Sequence, residues 1–337
     1  MTPPTSDLSS ISSTDPAARR ALADEIKHAC MEVGFFYGTP QLHTSLNFPS
    51  YFETVKNHGI PETVMQDTLA QMTRFFDLPL DKKLEVENKK TSNFMGYNPV
   101  LSGNNDPNGA GDLQEGFEFK FEPLDDGSHG ADKDTAIARG GHHGCTSIQI
   151  SPGSRNSGPP SHRALKLGRL LFPLFALALD LPEDFFADKT KHSAAIMRLL
   201  HYPPQFGEVD DRVIGIGAHT DWECFTILWQ QPGIQALQVL NSFKEWINVP
   251  AIDGTLVINL GDQFARWTND VFTSTVHRAI NRSGVERYSI PLFFGTDYNV
   301  PLEPISSCVS DERPARYEAI TAGEYIRSRH QATYGHY

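Results

Sequence analysis

The stretch Ile214–Leu228, IGIGAHTDWECFTIL, decides how the rest of this chain reads. It is strand-like, and it carries His219-Thr220-Asp221 near its centre. In a strand, residues two apart project to the same side, so the His219 imidazole and the Asp221 carboxylate leave the backbone together. A nitrogen and a hard oxygen at that spacing suit a first-row divalent metal. One more ligand is needed, and the best candidate is His277, in Ser274-Thr275-Val276-His277-Arg278. The triplet alone is a weak signal. With 13 His in 337 residues, an HxD triplet turns up by chance about once, and by itself it reads as an exposed or capping pair.

The residues downstream of His277 change that reading. Arg287-Tyr288-Ser289 stands at strand alternation ahead of the apolar run Ile290–Phe294. Arg287 and Ser289 then share a face, and a guanidinium fork beside a hydroxyl is shaped to hold a carboxylate. Two His and one carboxylate on one face of a metal, with the other positions open, is how non-haem Fe(II) oxygenases bind their iron. A carboxylate clamp one short strand away implies a small acid bound beside that metal.

The segments Gly217–Asp221 (GAHTD), Asn259–Asp262 (NLGD), Ser274–Arg278 (STVHR), Asn281 and Arg287–Ser289 (RYS) stand in this order. Through them the chain resembles the Fe(II)/2-oxoglutarate-dependent oxygenases of the isopenicillin-N-synthase-like group, from about Ala18 to Tyr334 and most strongly over Arg198–Phe294. The resemblance implies a mainly β fold with flanking helices, built on a distorted double-stranded β-helix (a jelly-roll, cupin-like core). It implies His219, Asp221 and His277 as iron ligands, and Arg287 and Ser289 on the distal carboxylate of 2-oxoglutarate, with O2 as the second co-substrate. Tyr202, in Leu200-His201-Tyr202-Pro203-Pro204, matches the group's tyrosine before proline and would add a hydroxyl to the same carboxylate. Where members often have Asn two residues earlier, this chain has Leu200, so no role of that Asn carries over.

Composition narrows the class. A net charge of −12 argues against a nucleic-acid polyanion as the main partner. Cys30, Cys145, Cys224 and Cys308 are far apart with no CxxC, which speaks against a zinc knuckle or disulfide framework. The longest apolar run, Leu170–Leu181, contains Pro173 and Asp180 and is too short to span a bilayer. The first residues lack a basic and an apolar region, so a cytosolic setting is the default, with no membrane and no obligate protein partner.

Two regions are expected: 1–160, a mixed α/β region packing on the core, and 161–337, the double-stranded β-helix with a C-terminal helix. Asp15-Pro16 starts a first helix, and Gly34 ends it before a Phe35-Phe36-Tyr37 strand. The segment Gly38–Thr54 separates that strand from Val55-Lys56-Asn57-His58-Gly59-Ile60, which would otherwise continue it. Two readings fit this insertion: an excursion packed over the barrel, or an intron-like segment retained in translation, and the pattern favours the second. Pro61 opens the next helix, and Asp81–Lys90 reads as a solvated charged turn. Asp125–Pro160 reads as a long surface loop, and His142-His143 as no metal pair, since adjacent residues diverge. Ser161–Leu181 is a helix kinked at Pro173. Strands follow at Ala195–His201, Val213–Ala218, Phe225–Gln230, Ala236–Leu240, Trp246–Val249, Thr255–Leu260, Thr275–Ala279 and Tyr288–Phe294. Gly254 and Gly261-Asp262 are turns, Asn259 a turn former, and Tyr317–Tyr334 a C-terminal helix.

Tyr97, Phe117 and Trp222 are the candidate substrate walls, although aromatics serve equally in cores. The expected activity is hydroxylation of a small organic molecule with conversion of 2-oxoglutarate and O2 to succinate and CO2, in fungal secondary metabolism. Four alternatives stay open. They are a 2-oxoglutarate-independent oxidase of the isopenicillin N synthase type, a pyrimidine (thymine-like) hydroxylase, a zinc hydrolase on the same three ligands, and an inactive small-molecule-binding barrel.

Overall fold

A computed structural model describes residues 7–32, 34–37, 58–91, 95–103, 111–120, 160–205 and 214–334. The expectations for Gly38–Thr54, His142-His143 and Asp125–Pro160 fall outside these residues, apart from Pro160 itself. In chain order the elements are α1 (Pro16–Glu32), β1 (Phe35–Tyr37), α2 (Glu62–Phe76), α3 (Leu80–Leu84), β2 (Gly96–Asn98), β3 (Glu115–Lys120), α4 (Pro160–Ala178) and β4 (Ala195–Tyr202). They continue with β5 (Ile216–His219), β6 (Phe225–Gln230), β7 (Leu237–Leu240), β8 (Trp246–Asn248), β9 (Val257–Leu260), α5 (Asp262–Trp267), β10 (His277–Ala279), β11 (Arg287–Phe294) and α6 (Ala322–Tyr334).

Seven strands form the major sheet in the order β1-β9-β6-β11-β4-β3-β2, and four form the minor sheet in the order β5-β10-β7-β8. Every neighbouring pair is antiparallel. Two facing antiparallel sheets with flanking helices make the mainly β, double-stranded β-helix core expected from the sequence. The major sheet runs across residue 160, because β1, β2 and β3 extend the strands of the later half. No described helix is long and apolar enough to cross a membrane.

Alternation assigns the two faces of the major sheet. On β4, Leu200 and Tyr202 turn inward and pack with Ile216 and Ala279 of the minor sheet. The intervening Met197 and Leu199 turn outward into the helix-side core, with Tyr288, Ile290, Leu292 and Phe294 of β11. That core is aromatic. Phe172 and Phe175 of α4 meet Phe225, Phe264 and Phe294 with ring centroids 5.2–5.8 Å apart, and Phe225 lies parallel to Phe294 at 5.3 Å.

Local chemistry explains the boundaries. The Asp15 carboxylate accepts the Ala17 N–H at 3.0 Å and starts α1 at Pro16. Gly34, at φ +70°, ends it, and a Cβ there would stand 1.9 Å from the Thr273 carbonyl oxygen. Two expectations change. Gly261-Asp262 is not only a turn: Gly261 caps the six-residue helix α5, which buries Phe264 and Trp267. Nor is Asp81–Lys90 wholly solvated. Lys83 is buried, its Nζ 2.7 Å from Glu115 Oε2 and donating to the Phe76 carbonyl at 2.9 Å.

Gly168 of α4 tests this packing. A Cβ there would lie 2.4 Å from the Phe294 ring, which Phe172 and Phe225 hold in place. Helix propensity favours Ala by about 1 kcal/mol, whereas overpacking costs roughly 1–3 kcal/mol. Gly168→Ala is expected to destabilise the protein, read as a lowered urea midpoint with an unchanged slope.

Candidate metal centre

The minor sheet sets two of the three candidate ligands directly opposite one another. His219 ends β5, His277 begins β10, and the two are cross-strand partners in the antiparallel register. Such partners carry Cβ atoms about 4.5–5.5 Å apart, and here the ring centroids are 4.3 Å apart. Asp221, just past β5, completes the set, with Oδ1 3.6 Å from His219 Nε2 and 3.7 Å from His277 Nε2. One ligand atom from each residue lies within 4.8 Å of the other two.

The surroundings choose which atoms face the centre. His219 Nδ1 lies 2.8 Å from the Gly217 carbonyl oxygen, and His277 Nδ1 lies 3.1 Å from that of Thr275. A carbonyl only accepts, so each Nδ1 carries the proton and each Nε2 keeps its lone pair for a metal. Asp221 Oδ2 accepts the Thr226 hydroxyl at 2.5 Å and the Asn259 amide at 2.6 Å, leaving Oδ1 for the centre. Asn259 is therefore not a turn former. It sits in β9, 2% exposed, and orients a ligand.

The electrostatics agree. Burial works against the Asp221 charge, but His277, His219 and the Thr226 hydroxyl outweigh it and hold the carboxyl well below its usual range. Burial and the neighbouring His219 ring push His277 down to about 4, against the pull of Asp221. Burial also opposes the charged form of His219, yet its contact with Asp221 raises it overall. The donor set of two neutral-capable imidazoles and one anionic oxygen fits a divalent first-row metal.

Deeper in the barrel, Arg287, Tyr202 and Ser289 come together. Arg287 and Tyr202 are cross-strand partners on β11 and β4, and Ser289 shares the Arg287 face. The guanidinium carbon lies 4.6 Å from the Tyr202 ring centre. Arg287 is 1% exposed, and its Nη2 donates to Gln230 Oε1 at 3.3 Å. Neither its Nε nor its Nη1 finds an acceptor among the described residues. Burial pushes its pKa down, against the Tyr202 hydroxyl. A buried cation with orphaned donors calls for an anion, and a bidentate carboxylate matches the guanidinium fork. Leu200, the partner of Ser289, makes the adjoining wall apolar.

The three aromatic wall candidates divide. Trp222 follows Asp221, is partly exposed, and meets His330 of α6 edge-on at 5.0 Å. Tyr97 and Phe117 are not brought to the metal centre. Their register with Leu199 turns them to the helix side, where both meet Phe75. Tyr97 also donates to Glu115 Oε2 at 2.5 Å. The apolar pocket lined by Met72, Phe75, Phe76, Phe117 and Leu199 lies on that side too.

Comparison with known proteins gives a consistent result. Residues 193–296 match the 2OG-Fe(II) oxygenase superfamily, and residues 52–136 match the N-terminal region described as non-haem dioxygenase in morphine synthesis. The chain is 31% identical over 336 residues to the 2-oxoglutarate-Fe(II) type oxidoreductase hxnY of Emericella nidulans, covering 99% of this chain and 90% of that protein. It is 30% identical to the 2-oxoglutarate-Fe(II) type oxidoreductase ppzC of Metarhizium majus, covering 97% and 86%. Among solved structures, a full-length Neurospora crassa protein in complex with alpha-KG and thymine superposes with a TM-score of 0.74 at 24% identity, over 98% of this chain and 96% of that one. This last likeness concerns the fold.

The geometry generates two expected outcomes. Asn259→Ala leaves Asp221 Oδ2 with one partner fewer, and Mn(II) affinity by calorimetry is expected to fall about 10–100-fold. Metal binding needs neutral His219, whose pKa lies above its ordinary value, so binding releases a proton as pH falls. Affinity is therefore expected to weaken as pH falls through the raised His219 pKa, starting above the ordinary imidazole value, with proton release rising in buffers of differing ionisation enthalpy.

Proposed function

Because the chain belongs to the 2OG-Fe(II) oxygenase superfamily, and is an oxidative enzyme of that iron- and 2-oxoglutarate-dependent kind, we propose that His219, Asp221 and His277 hold its iron. Arg287, Ser289 and Tyr202 seat the far carboxylate of 2-oxoglutarate, and the reaction is hydroxylation of a small organic molecule. Bound there, iron(II) and 2-oxoglutarate supply the activation of O2 that oxidises a C–H bond. The match of residues 52–136 supports placement in the isopenicillin-N-synthase-like group. The fungal relatives support a small-molecule-tailoring role.

The observation that carries this reading is Arg287, a buried guanidinium whose Nε and Nη1 lack acceptors among the described residues, with a hydroxyl-bearing Ser289 on the same face. The chain's own residues then do three things. The Gly217 and Thr275 carbonyls hold the imidazole tautomers, and Thr226 and Asn259 aim the carboxylate. Leu200, Tyr202, Ile216 and Ala279 form an apolar cluster beside the clamp, and excluding water there strengthens the Arg287–carboxylate attraction. Trp222 stands beside Asp221, partly exposed.

An anaerobic titration with Fe(II) and then 2-oxoglutarate tests the proposal through the visible metal-to-ligand charge-transfer band. The parent is expected to show the band and His219→Ala to lose it. Arg287→Ala is expected to need at least about 30-fold more 2-oxoglutarate, since removing one partner of a buried charge pair costs roughly 2–5 kcal/mol. A folded parent with no band overturns the reading.

A further inference from the structure

The inward face of β3 and β4 carries a second pair of charges. Glu118 and Arg198 are cross-strand partners in register, and Arg198 Nε lies 2.7 Å from Glu118 Oε1. Arg198 alternates with Leu200 and Tyr202, so it projects to the same side as the clamp. It lies two residues along β4 from Leu200, the partner of Ser289, which is about 7 Å of strand. Gly116 adjoins this rung. A Cβ there would come 2.9 Å from Leu200 Cδ2 and 3.9 Å from Arg198 Nη2, so glycine keeps the lumen open.

This pair is not sealed. The side chains of Arg198 and Glu118 are 18% and 20% exposed, against 9% and 6% for the Lys83–Glu115 pair on the helix side. Its β3 member also lies toward α6. His330 packs on Trp222, the residue after Asp221. Burial lowers the His330 pKa, with Glu118 opposing and Lys120 reinforcing that shift, so β3 and α6 face each other at this corner. A guanidinium offers five N–H donors and a carboxylate accepts about four hydrogen bonds, so the two can hold each other and a ligand together.

We propose that the Glu118–Arg198 pair is the substrate-recognition site of this enzyme, and that its substrate is a small amphoteric molecule. Arg198 takes a carboxylate or carbonyl oxygen, and Glu118 takes an adjacent ammonium or ring N–H. Amino acids present this edge in charged form and cyclic amides in neutral form. An apolar acid leaves Glu118 without a partner, and truncating either residue strands the other, so the pair discriminates by both attraction and loss. The inference rests on the oxygenase reading above.

The test uses L-proline, L-arginine and thymine as amphoteric probes and indole-3-acetate as an apolar acid. Calorimetry follows their binding to the full chain, both metal-free and loaded anaerobically with Fe(II) and 2-oxoglutarate. At least one amphoteric probe is expected to bind more tightly than indole-3-acetate. Its affinity is expected to fall about tenfold or more in Arg198→Met and in Glu118→Gln, while both retain the parent's charge-transfer band. The double variant R198M/E118Q strands no charge, so it serves where a single variant folds poorly, and it too is expected to lose the probe. Binding of no amphoteric probe, preference for indole-3-acetate, or equal probe binding by parent and variants overturns the assignment. Equal binding with a lowered melting temperature identifies the pair as structural. A missing band in the parent sinks the oxygenase reading instead, and the metal-free calorimetry still decides the pair.

Discussion

A carboxylate removed from water must be compensated, and the centre of this molecule is arranged around one, Asp221, 5% exposed. Its compensation comes from four elements: His219 on β5, Thr226 on β6, Asn259 on β9 and His277 on β10. The backbone after Asn259 adds to this. The Asp262 N–H donates to the Asp221 carbonyl at 2.8 Å, and a Cβ at Gly261 would strike the Glu223 carbonyl oxygen at 2.2 Å. Asp262 in turn accepts from Thr220 at 3.1 Å, Ser274 at 2.7 Å and Tyr325 at 2.9 Å. One aspartate therefore ties the His219 segment, the His277 segment and α6 to the start of α5. The geometry of the His219, Asp221 and His277 cluster is a property of the two sheets together, and neither sheet holds it alone.

The major sheet treats buried charge differently on its two faces. On the helix side, Glu115 receives Lys83 at 2.7 Å, Tyr97 at 2.5 Å and His201 at 2.8 Å, so the ions there complete one another. On the lumen side, Arg287 keeps Nε and Nη1 donors with no acceptor among the described residues. His201 and Tyr202 are consecutive residues serving opposite faces. Strand β4 thus carries His201 of the Glu115 network on one face and Tyr202, beside the Arg287 guanidinium, on the other, and alternation alone separates them.

That separation explains what could be read in the sequence. The local features were legible: the Arg287/Ser289 pair, the strands Phe225–Gln230 and Tyr288–Phe294, and the Asp15-Pro16 helix start, whereas the expected strand alternation through Asp221 was not met, because β5 ends at His219 and Asp221 lies in the loop beyond it. Each is a statement about residues a few positions apart. Other features depend on register between distant strands. Tyr97 and Phe117 face the helices because they align with Leu199, about 80 residues or more away in sequence. Lys83 is buried because Glu115 meets it, and Asn259 orients Asp221 because β9 pairs with β6. Helix α5 escaped because six residues carry less than two turns of periodicity. The order of NLGD after HTD hinted at the Asn259 role, but only the pairing gives its amide a direction.

The final constraint is net charge. Glu223 lies two residues from Asp221 and is also buried, and it receives the Gln263 amide at 3.0 Å. Burial pushes its carboxyl up to about 8, with Gln263 and Lys120 opposing and Asp221 adding to the rise. Two carboxylates in one buried loop compete for the charged state, and the imidazoles and the Thr226 hydroxyl give it to Asp221. At neutral pH Glu223 is therefore mostly a neutral acid. One buried anion is easier to compensate than two, so a neutral Glu223 can sit two residues from Asp221 without competing for its partners. Gly295 completes the arrangement, since a Cβ there would overlap the Glu223 carboxyl at 2.0 Å.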